Sequence, residues 1–464
     1  MKKLGIICTV LFFGVHSAFG GQIVMTTSDY SSGNTATYDT ETGILTNDIL
    51  PHHQDAYAVT DGRYLYIIEG FGKNSIIKVD PEPISEANVV YNYSVSGDGS
   101  ETNPHDMVFL DTKAYVLLNS SDKIWIVNPD ASGEASFKTG EIDISGWADA
   151  DGSPEAYMGF VYDGMVYVVC QMGDTTAWPV TYTSAVILKI DPVTDSIVDM
   201  DTETDDVQGI ELILKNPQKA SLVGSFLYLA CSTYDHEKNP QGVMSVDLKD
   251  PLNTQLILID EQSLGGTLRG IDVFTDNYGL VYTLNESYNA GIPRIFNPQN
   301  GALGDNLPVP DSGGGLVLVD AKIYVGVRDF TNPGLYIVDK STNTLVAEPL
   351  ATTLPPYTIT YIESDISTEV SVKTKEPEAF VVEAAYPNPF NPYTTFSFHL
   401  ARAANIRAEV FTAGGQKIDE LVNSYMNAGS HAVVWNAAGR SSGVYHIRVT
   451  NGISSCSSKV TLIK

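Results

Sequence analysis

Side chains able to do chemistry recur at one position of a repeated sequence pattern. When the copies are aligned on the turn before their first apolar run, the equivalent positions hold Asp55, His105, Tyr157, Gln218, Arg269 and Tyr357. This set of acid, imidazole, amide, guanidinium and phenol groups can hold an anionic or polar ligand, or transfer protons if a pKa is shifted. The simpler interpretation is that these groups only solvate a channel and hydrogen-bond the ends of strands.

A second group of candidate residues is acidic. Asp149, Asp151 and Glu155 follow part of the spacing of a calcium-binding loop, although Trp147 occupies the place of the leading aspartate. A solvated loop is the simpler interpretation, and weak Ca²⁺ binding is the alternative. The sequence lacks the CxxCH motif of attached haem and the HExxH motif of zinc enzymes. It therefore predicts no cofactor beyond this Ca²⁺ and assigns no catalytic residue.

The repeated unit itself must position the candidate residues. In its clearest copy, residues 113–129, two apolar runs flank the polar turn Asn-Ser-Ser-Asp, which predicts a β-hairpin. The other copies begin at Gln22, Tyr64, Met165, Phe226, Leu280 and Lys322. Six copies carry a tyrosine in the first apolar run, at Tyr66, Tyr115, Tyr167, Tyr228, Tyr282 and Tyr324.

The period of the repeat predicts a seven-bladed β-propeller. The repeated tyrosines lie 42 to 61 residues apart, and several strands per unit at such a period are typical of that fold. In the unit around Tyr115, residues 107–110 are the expected innermost strand. The first copy has no such strand before it, whereas residues 357–362 form an innermost strand that belongs to no copy at the other end. We expect residues 357–362 to pair with the first copy and close the ring. The alternative is an open β-solenoid with capped ends.

Short motifs support this fold. Tyr-Val followed by Ile-x-Val-(Asp/Asn)-Pro, as in the Ile-Lys-Val-Asp-Pro of residues 77–81, resembles the YVTN/YncE-like seven-bladed propellers. The resemblance covers residues 22–365. It implies a secreted or periplasmic ring, often with a binding or unknown role, but propellers carry so many activities that it fixes no function.

The last part of the chain predicts a small Ig-like β-sandwich. After a polar linker at residues 366–384, three prolines in residues 386–392 set an extended entry. About seven short alternating runs follow, with Trp435 and Tyr445 as predicted core residues. Blocks such as GQKIDEL, AGSHAVVWN, SGVYHIRV and the terminal KVTLIK resemble the C-terminal sorting domain of the type IX secretion system, related to the FlgD-type Ig-like domain. Over residues 385–464 this resemblance implies contact with the secretion machinery and export, with the domain either cleaved or retained.

The N-terminus and the charge agree with export. Residues 1–20 combine a charged start, an apolar run and a small-residue cleavage site, which predicts a secretory signal peptide before a propeller at residues 21–365. No later stretch is apolar enough for a membrane helix. The formal net charge is −29, with 18 basic and 50 acidic residues up to Val372 against 9 and 6 beyond it. This asymmetry supports two units, and the acidic first unit argues against nucleic acid as a partner.

The sequence thus predicts a protein that is secreted or held at the outer-membrane surface. The expected role is non-catalytic binding of a protein, a glycan or a small molecule. The alternative is an enzyme at the channel mouth, such as a lactonase, a lyase or a quinoprotein-like dehydrogenase. Cys170 and Cys231 occupy equivalent strand positions in successive repeats, so we expect them to be buried free thiols rather than a disulfide.

Overall fold

The fold is taken from a computed structural model that describes most of the chain. The described residues are 20–96, 101–176, 178–200, 206–233, 241–284, 291–310, 313–363, 380–382, 385, 387–400, 404–412, 417–426, 429–450 and 455–464. The predicted signal peptide, except its last residue, and nearly all of the predicted linker lie outside them. No helix in the described part is long and apolar enough to cross a membrane.

Antiparallel sheets of four or five strands follow one another along the first three quarters of the chain. Within the described residues of 21–363 there are seven such sheets, numbered here from the N-terminus and written from the innermost strand outward. Sheet 1 contains Pro356–Glu363, Gly21–Ser28, Gly33–Asp39, Leu45–Thr46 and Pro51–His52; sheet 2 contains Ala56–Thr60, Leu65–Glu69, Ser75–Val79 and Val89–Ser94; sheet 3 contains Pro104–Leu110, Lys113–Leu118, Lys123–Val127 and Lys138–Asp143.

The remaining sheets of this region follow the same plan. Sheet 4 contains Ala156–Tyr162, Met165–Cys170, Val186–Asp191, Ser196–Ile197 and Ile210–Glu211; sheet 5 contains Pro217–Val223, Phe226–Cys231, Gly242–Asp247 and Leu256–Asp260; sheet 6 contains Leu268–Thr275, Tyr278–Leu284, Gly291–Phe296 and Leu303–Asn306; sheet 7 contains Leu316–Val319, Lys322–Val327, Gly334–Asp339, Thr344–Leu345 and Leu350–Ala351. A two-stranded ribbon, Gly173–Asp174 with Thr181–Tyr182, a short helix, Glu261–Leu264, and the 3₁₀ turns Glu86–Asn88, Glu134–Ser136 and Ser145–Trp147 connect strands.

The predicted hairpin forms the middle of sheet 3. Strand Lys113–Leu118 pairs with Lys123–Val127, and Tyr115 lies opposite Ile126. Consecutive residues of both strands are buried, which requires a neighbour on each face of the sheet. All six repeated tyrosines lie in second strands and are at most 5% exposed. The hydroxyl of Tyr115 donates to Asp195 of the next repeat at 2.6 Å, so this buried polar group is satisfied.

The sheets pack face to face in a closed circle. Seven clusters of buried apolar side chains fill the described part of this region, and each is shared by two successive sheets. The last cluster joins sheet 7 to sheet 1, with Tyr324 and Leu335 packed on Ile23 and Met25. This propeller-like arrangement leaves no sheet face at the end of a stack, so the open solenoid was the wrong alternative.

The chain closes this circle as predicted. Strand Pro356–Glu363 pairs with Gly21–Ser28, so the unassigned segment supplies the innermost strand of sheet 1. The hydroxyl oxygens of Thr26 and Thr358 lie 2.7 Å apart across this junction. Sheet 1 is therefore assembled from both ends of the region, and a sheet that joins chain ends leaves no free edge between them.

Two smaller features concern a glycine and the cysteines. A Cβ added to Gly314 would lie 2.5 Å from the Pro356 side chain and 2.7 Å from the Gly326 carbonyl oxygen, so this glycine permits a close backbone approach. Cys170 and Cys231 are free and fully buried. Burial raises the pKa of both thiols above the ordinary range and makes them unreactive.

The C-terminal part is a separate β-sandwich. One sheet contains Phe380–Val382, Tyr393–Leu400 and Gly429–Asn436; the other contains Lys417–Met426, Ala404–Thr412, Gly443–Thr450 and Ser455–Leu462. One cluster of buried residues lies between them and includes the predicted core residues Trp435 and Tyr445. The proline-rich entry is tied to the last strand, because the backbone of Phe390 bonds to Thr461 and Ile463.

Candidate functional site

A cavity of about 450 Å³ lies on the axis of the ring, where the innermost strands begin. All seven sheets contribute to its wall. Five of the six side chains predicted for the channel mouth line it, namely His105, Tyr157, Gln218, Arg269 and Tyr357. The structure therefore brings these residues together, although nothing in their arrangement alone assigns them a function.

Local irregularities of the strands aim these five side chains. Each is the second residue of its innermost strand, and each is the extra, unpaired residue of a β-bulge. The bulges fall at His105 in sheet 3, Tyr157 in sheet 4, Gln218 in sheet 5, Arg269 in sheet 6 and Tyr357 in sheet 1. A bulge interrupts the strict alternation of side chains and can turn one residue away from its normal face. Five bulges at one level thus direct five polar or aromatic groups to the axis.

Aromatic rings cover one side of the mouth. The ring centroids of His105 and Tyr157 are 3.6 Å apart and the rings are stacked. Tyr57 continues this wall, with its ring centroid 4.3 Å from that of His105 and 5.6 Å from that of Tyr357. Four rings from sheets 1 to 4 therefore form a continuous surface, which presents flat apolar faces to a ligand.

Sequence alignment missed Tyr57 and selected Asp55 in its place. In sheet 2 the second residue of the innermost strand is Tyr57, and this strand has no bulge at that point. The available signal was the residue before it, because a buried Ala, Pro or Leu precedes each of the other five aligned residues, as Ala56 precedes Tyr57. Asp55 still belongs to the site, since its carboxylate accepts a 2.8 Å hydrogen bond from the Tyr357 hydroxyl and another from the backbone of Phe71.

The opposite side of the mouth is cationic. Arg269 is exposed at its bulge, and no carboxylate among the described residues pairs with it. Arg328, which the alignment also missed, lines the cavity with its guanidinium carbon 4.3 Å from the ring centroid of Tyr357. Lys219 is different because its ammonium group lies 2.5 Å from Asp272, so its charge is already paired.

The histidine and tyrosine side chains of the wall stay neutral near pH 7. Burial lowers the pKa of His105 to about 4, and its Nδ1 donates to the backbone carbonyl of Tyr157 at 3.1 Å. Burial raises the pKa of Tyr157 and of Tyr357 to about 12. Arg269 and Arg328 add guanidinium groups to the same wall. The arrangement therefore combines neutral rings with guanidinium groups, a combination that suits an anionic or polar ligand.

The predicted acidic group also comes together, on the loop before sheet 4. Carboxylate oxygens of Asp149, Asp151 and Glu155 lie within 4.8 Å of one another. Asp151 accepts bonds from the backbone and hydroxyl of Thr175, and Glu155 accepts one from Gly173. Burial, with the nearby acids, raises the pKa of Glu155 to about 8. Oxygens at this spacing suit Ca²⁺, but a protonated Glu155 removes most of the repulsion without any ion.

Solved structures resemble this chain mainly in fold. A provisional 6-phosphogluconolactonase from Bacteroides fragilis is 12% identical, with a TM-score of 0.50 over 75% of this chain and 99% of its own. AztD from Citrobacter koseri is 11% identical with a TM-score of 0.43, over 74% of this chain and 98% of its own. The type IX component PorZ from Porphyromonas gingivalis is 12% identical with a TM-score of 0.38, over 93% of this chain and 56% of its own.

The likeness to the Bacteroides fragilis structure agrees with a propeller-like fold and shows no function. No curated protein matches the chain. A family model does match its end, because residues 384–464 fit the secretion system C-terminal sorting domain. These residues include six of the seven strands of the C-terminal sandwich. The chain therefore carries a sorting domain that directs it through the type IX secretion system to the cell surface or the extracellular space.

Proposed function

We propose that this chain is an exported seven-bladed propeller of the YVTN type that binds a small anionic ligand, without catalysis, at the mouth of its central channel. The observation that carries the proposal is Arg269, a guanidinium on the axis that has no carboxylate partner among the described residues. In a chain with a formal net charge of −29, an exposed cation in a ligand-sized cavity that no described carboxylate pairs with favours an anion from solution.

The wall supports this function because it needs little rearrangement. The bulge at Arg269 fixes the backbone that carries this side chain, and the aromatic rings of the wall hold one another in place by stacking. A site that is ordered before binding loses less conformational freedom when the ligand arrives. A charge-assisted hydrogen bond from a guanidinium to a carboxylate typically contributes about 1.5–3 kcal/mol.

Residues 385–464 serve the same function by placing the ring outside the cell. In this proposal the Ig-like sandwich engages the secretion machinery, and the propeller is the part that meets the ligand. The mature protein then works where soluble sugars, acids and polymers of the surroundings are accessible. Whether the sandwich is removed or retained after export does not alter the channel site.

The proposal is tested with D-glucuronate as an anionic probe and D-glucose as its neutral counterpart. Calorimetric titration of the mature chain should show binding of glucuronate and at least tenfold weaker binding of glucose. Arg269→Ala should weaken glucuronate binding by about tenfold or more, equivalent to about 1.4 kcal/mol. Arg63→Ala is the matched control, because Arg63 is exposed on a turn at the opposite face of the ring. Equal affinity of Arg269→Ala and the unaltered protein for glucuronate would exclude the site.

A further inference from the structure

Large exposed aromatic side chains gather on one face of the ring. In the described part of residues 20–363, the exposed large aromatic side chains are Tyr30 (63% exposed), Phe71 (67%), Trp178 (77%), Phe226 (41%) and Phe330 (57%). Four of them lie on connections between the second and third strands of a sheet, in sheets 1, 2, 4 and 7. Phe226 alone lies at the start of a second strand.

The strand order fixes which face this is. In an antiparallel sheet, the second strand ends where the first begins, so every connection from the second strand to the third lies at the channel mouth. Phe226 lies at the opposite face, since it follows the turn between the first and second strands of sheet 5. Four of five exposed aromatic rings therefore surround the mouth of the candidate site.

Two of these rings connect to the cavity through Arg328. Phe330 and Tyr30 are stacked, with centroids 5.7 Å apart and an interplanar angle of 20°. The Arg328 guanidinium carbon lies 4.6 Å from the ring centroid of Tyr30 and 4.3 Å from that of Tyr357. Tyr357 then contacts Tyr57 within the mouth. A continuous track of flat groups therefore runs from the exposed face into the cavity. We call it the aromatic track, and it consists of Phe330, Tyr30, Arg328, Tyr357 and Tyr57.

The backbone at Tyr30 is strained to make this track. Tyr30 has a φ of 67°, a left-handed conformation that bulky residues rarely adopt. Residues held in such a conformation are strained and cluster at active sites and ligand-binding loops. The ring is 63% exposed, so burial of the ring does not offset the strain. The strained backbone is explained if the exposed ring of Tyr30 contacts a ligand.

We propose that the aromatic track and the channel mouth together bind an oligosaccharide that ends in an acidic sugar. The uronate end lies in the cavity against Arg269, and neutral sugar rings continue outward over Tyr30 and Phe330. This inference rests on the proposed binding of an anion in the channel, and it names the ligand class.

The chemistry of the track selects this ligand. A pyranose ring offers a face of C–H groups, which packs on the electron-rich face of an aromatic ring. The cavity of about 450 Å³ lies toward the small end of ligand sites and admits the end of a chain rather than a whole polymer. A nucleic acid also stacks on aromatic rings, but its repeated phosphates require many basic side chains, and this chain carries 27 against 56 acidic ones.

The test compares three probes on the mature protein: aldotetraouronic acid, which is a methylglucuronate joined to xylotriose, the neutral xylotetraose, and glucuronate alone. Calorimetric titration should rank them with aldotetraouronic acid tightest. Phe330→Ala and Tyr30→Asn should each weaken the acidic tetrasaccharide at least fivefold and leave glucuronate affinity unchanged. Tyr30→Asn should also keep or raise the melting temperature, because asparagine tolerates the left-handed conformation. Phe226→Ala is the control and should change neither affinity.

The outcomes separate this inference from the function on which it rests. If aldotetraouronic acid binds no tighter than glucuronate, or does not bind, the track has no role in recognition and the inference fails while the anion site stands. The inference also fails if Phe226→Ala weakens the tetrasaccharide as much as Phe330→Ala does. If glucuronate binding is unaffected by Arg269→Ala, the channel site itself fails, and the inference fails with it.

Discussion

At the scale of single residues, His105 shows how the channel sets the state of a titratable group. Its ring lies between those of Tyr57 and Tyr157, at centroid distances of 4.3 and 3.6 Å. The loss of hydration lowers its pKa to about 4, more than the hydrogen bond to the Tyr157 carbonyl and the charge of Asp55 raise it. The imidazole is therefore a neutral member of the aromatic wall at physiological pH.

This pKa predicts a stability that depends on pH. The unfolded chain has a histidine pKa near 6.5, so between pH about 6.5 and 4 it binds a proton that the folded protein does not. The contribution of neutral His105 to the free energy of unfolding is therefore fully present above pH 6.5, and it is lost as the pH falls toward 4. His105→Gln should reduce this loss by about 2–3 kcal/mol at pH 4.5. Thermal unfolding of both proteins from pH 4 to 8 measures it, and parallel curves over that range would contradict the prediction.

At the scale of elements, the innermost strands show what the sequence could predict. Each of the five correctly aligned mouth residues is the second residue of an innermost strand of seven or eight residues, a regular spacing that an alignment on turns can follow. That local pattern depends only on neighbours in the chain. The bulges themselves, and the contact of Arg328 with Tyr30, depend on pairing between distant segments. No periodicity in one strand records such contacts, so sequence reasoning could not find the aromatic track.

The closing strand of sheet 1 offers a direct test at this scale. Thr26→Cys with Thr358→Cys replaces two hydroxyls whose oxygens are 2.7 Å apart, and paired strand residues lie within the Cα separation of a disulfide. The bond should form under oxidation and stabilise the ring by about 2–4 kcal/mol, because it closes a very long loop. A faster band on a non-reducing denaturing gel and a higher melting temperature check this. Thr26→Cys alone is the control, and failure of the pair to cross-link would place the strand elsewhere.

At the scale of the whole molecule, the two parts of the chain are stabilised in different ways. Each apolar cluster of the ring belongs to two neighbouring sheets, so no sheet has a core of its own. The ring should therefore unfold as one cooperative unit. The sandwich has its own cluster, which contains residues from 385 to 462 and, in the described part of the chain, none from the ring. The sorting domain and the ring are thus separately stabilised.

A pair of tryptophan substitutions tests that separation. Trp435 is fully buried between the two sheets of the sandwich, and its Nε1 donates to Asp419 at 3.2 Å. Trp435→Ala should cost about 3–5 kcal/mol, enough to unfold a small domain. We expect its calorimetric transition to disappear, the ring transition to persist, and the protein to accumulate inside the cell because the sorting domain is no longer recognised.

The converse substitution is its control. Trp125, 7% exposed in sheet 3, belongs to a cluster shared by sheets 2 and 3. Trp125→Ala should lower the ring transition and leave the sandwich transition and the extent of export unchanged, provided that the ring still folds at the growth temperature. Fractionation of cells and culture medium measures export, and calorimetry measures both transitions. Normal export of Trp435→Ala, or a single transition that both substitutions shift together, would show that the two parts do not fold and act independently.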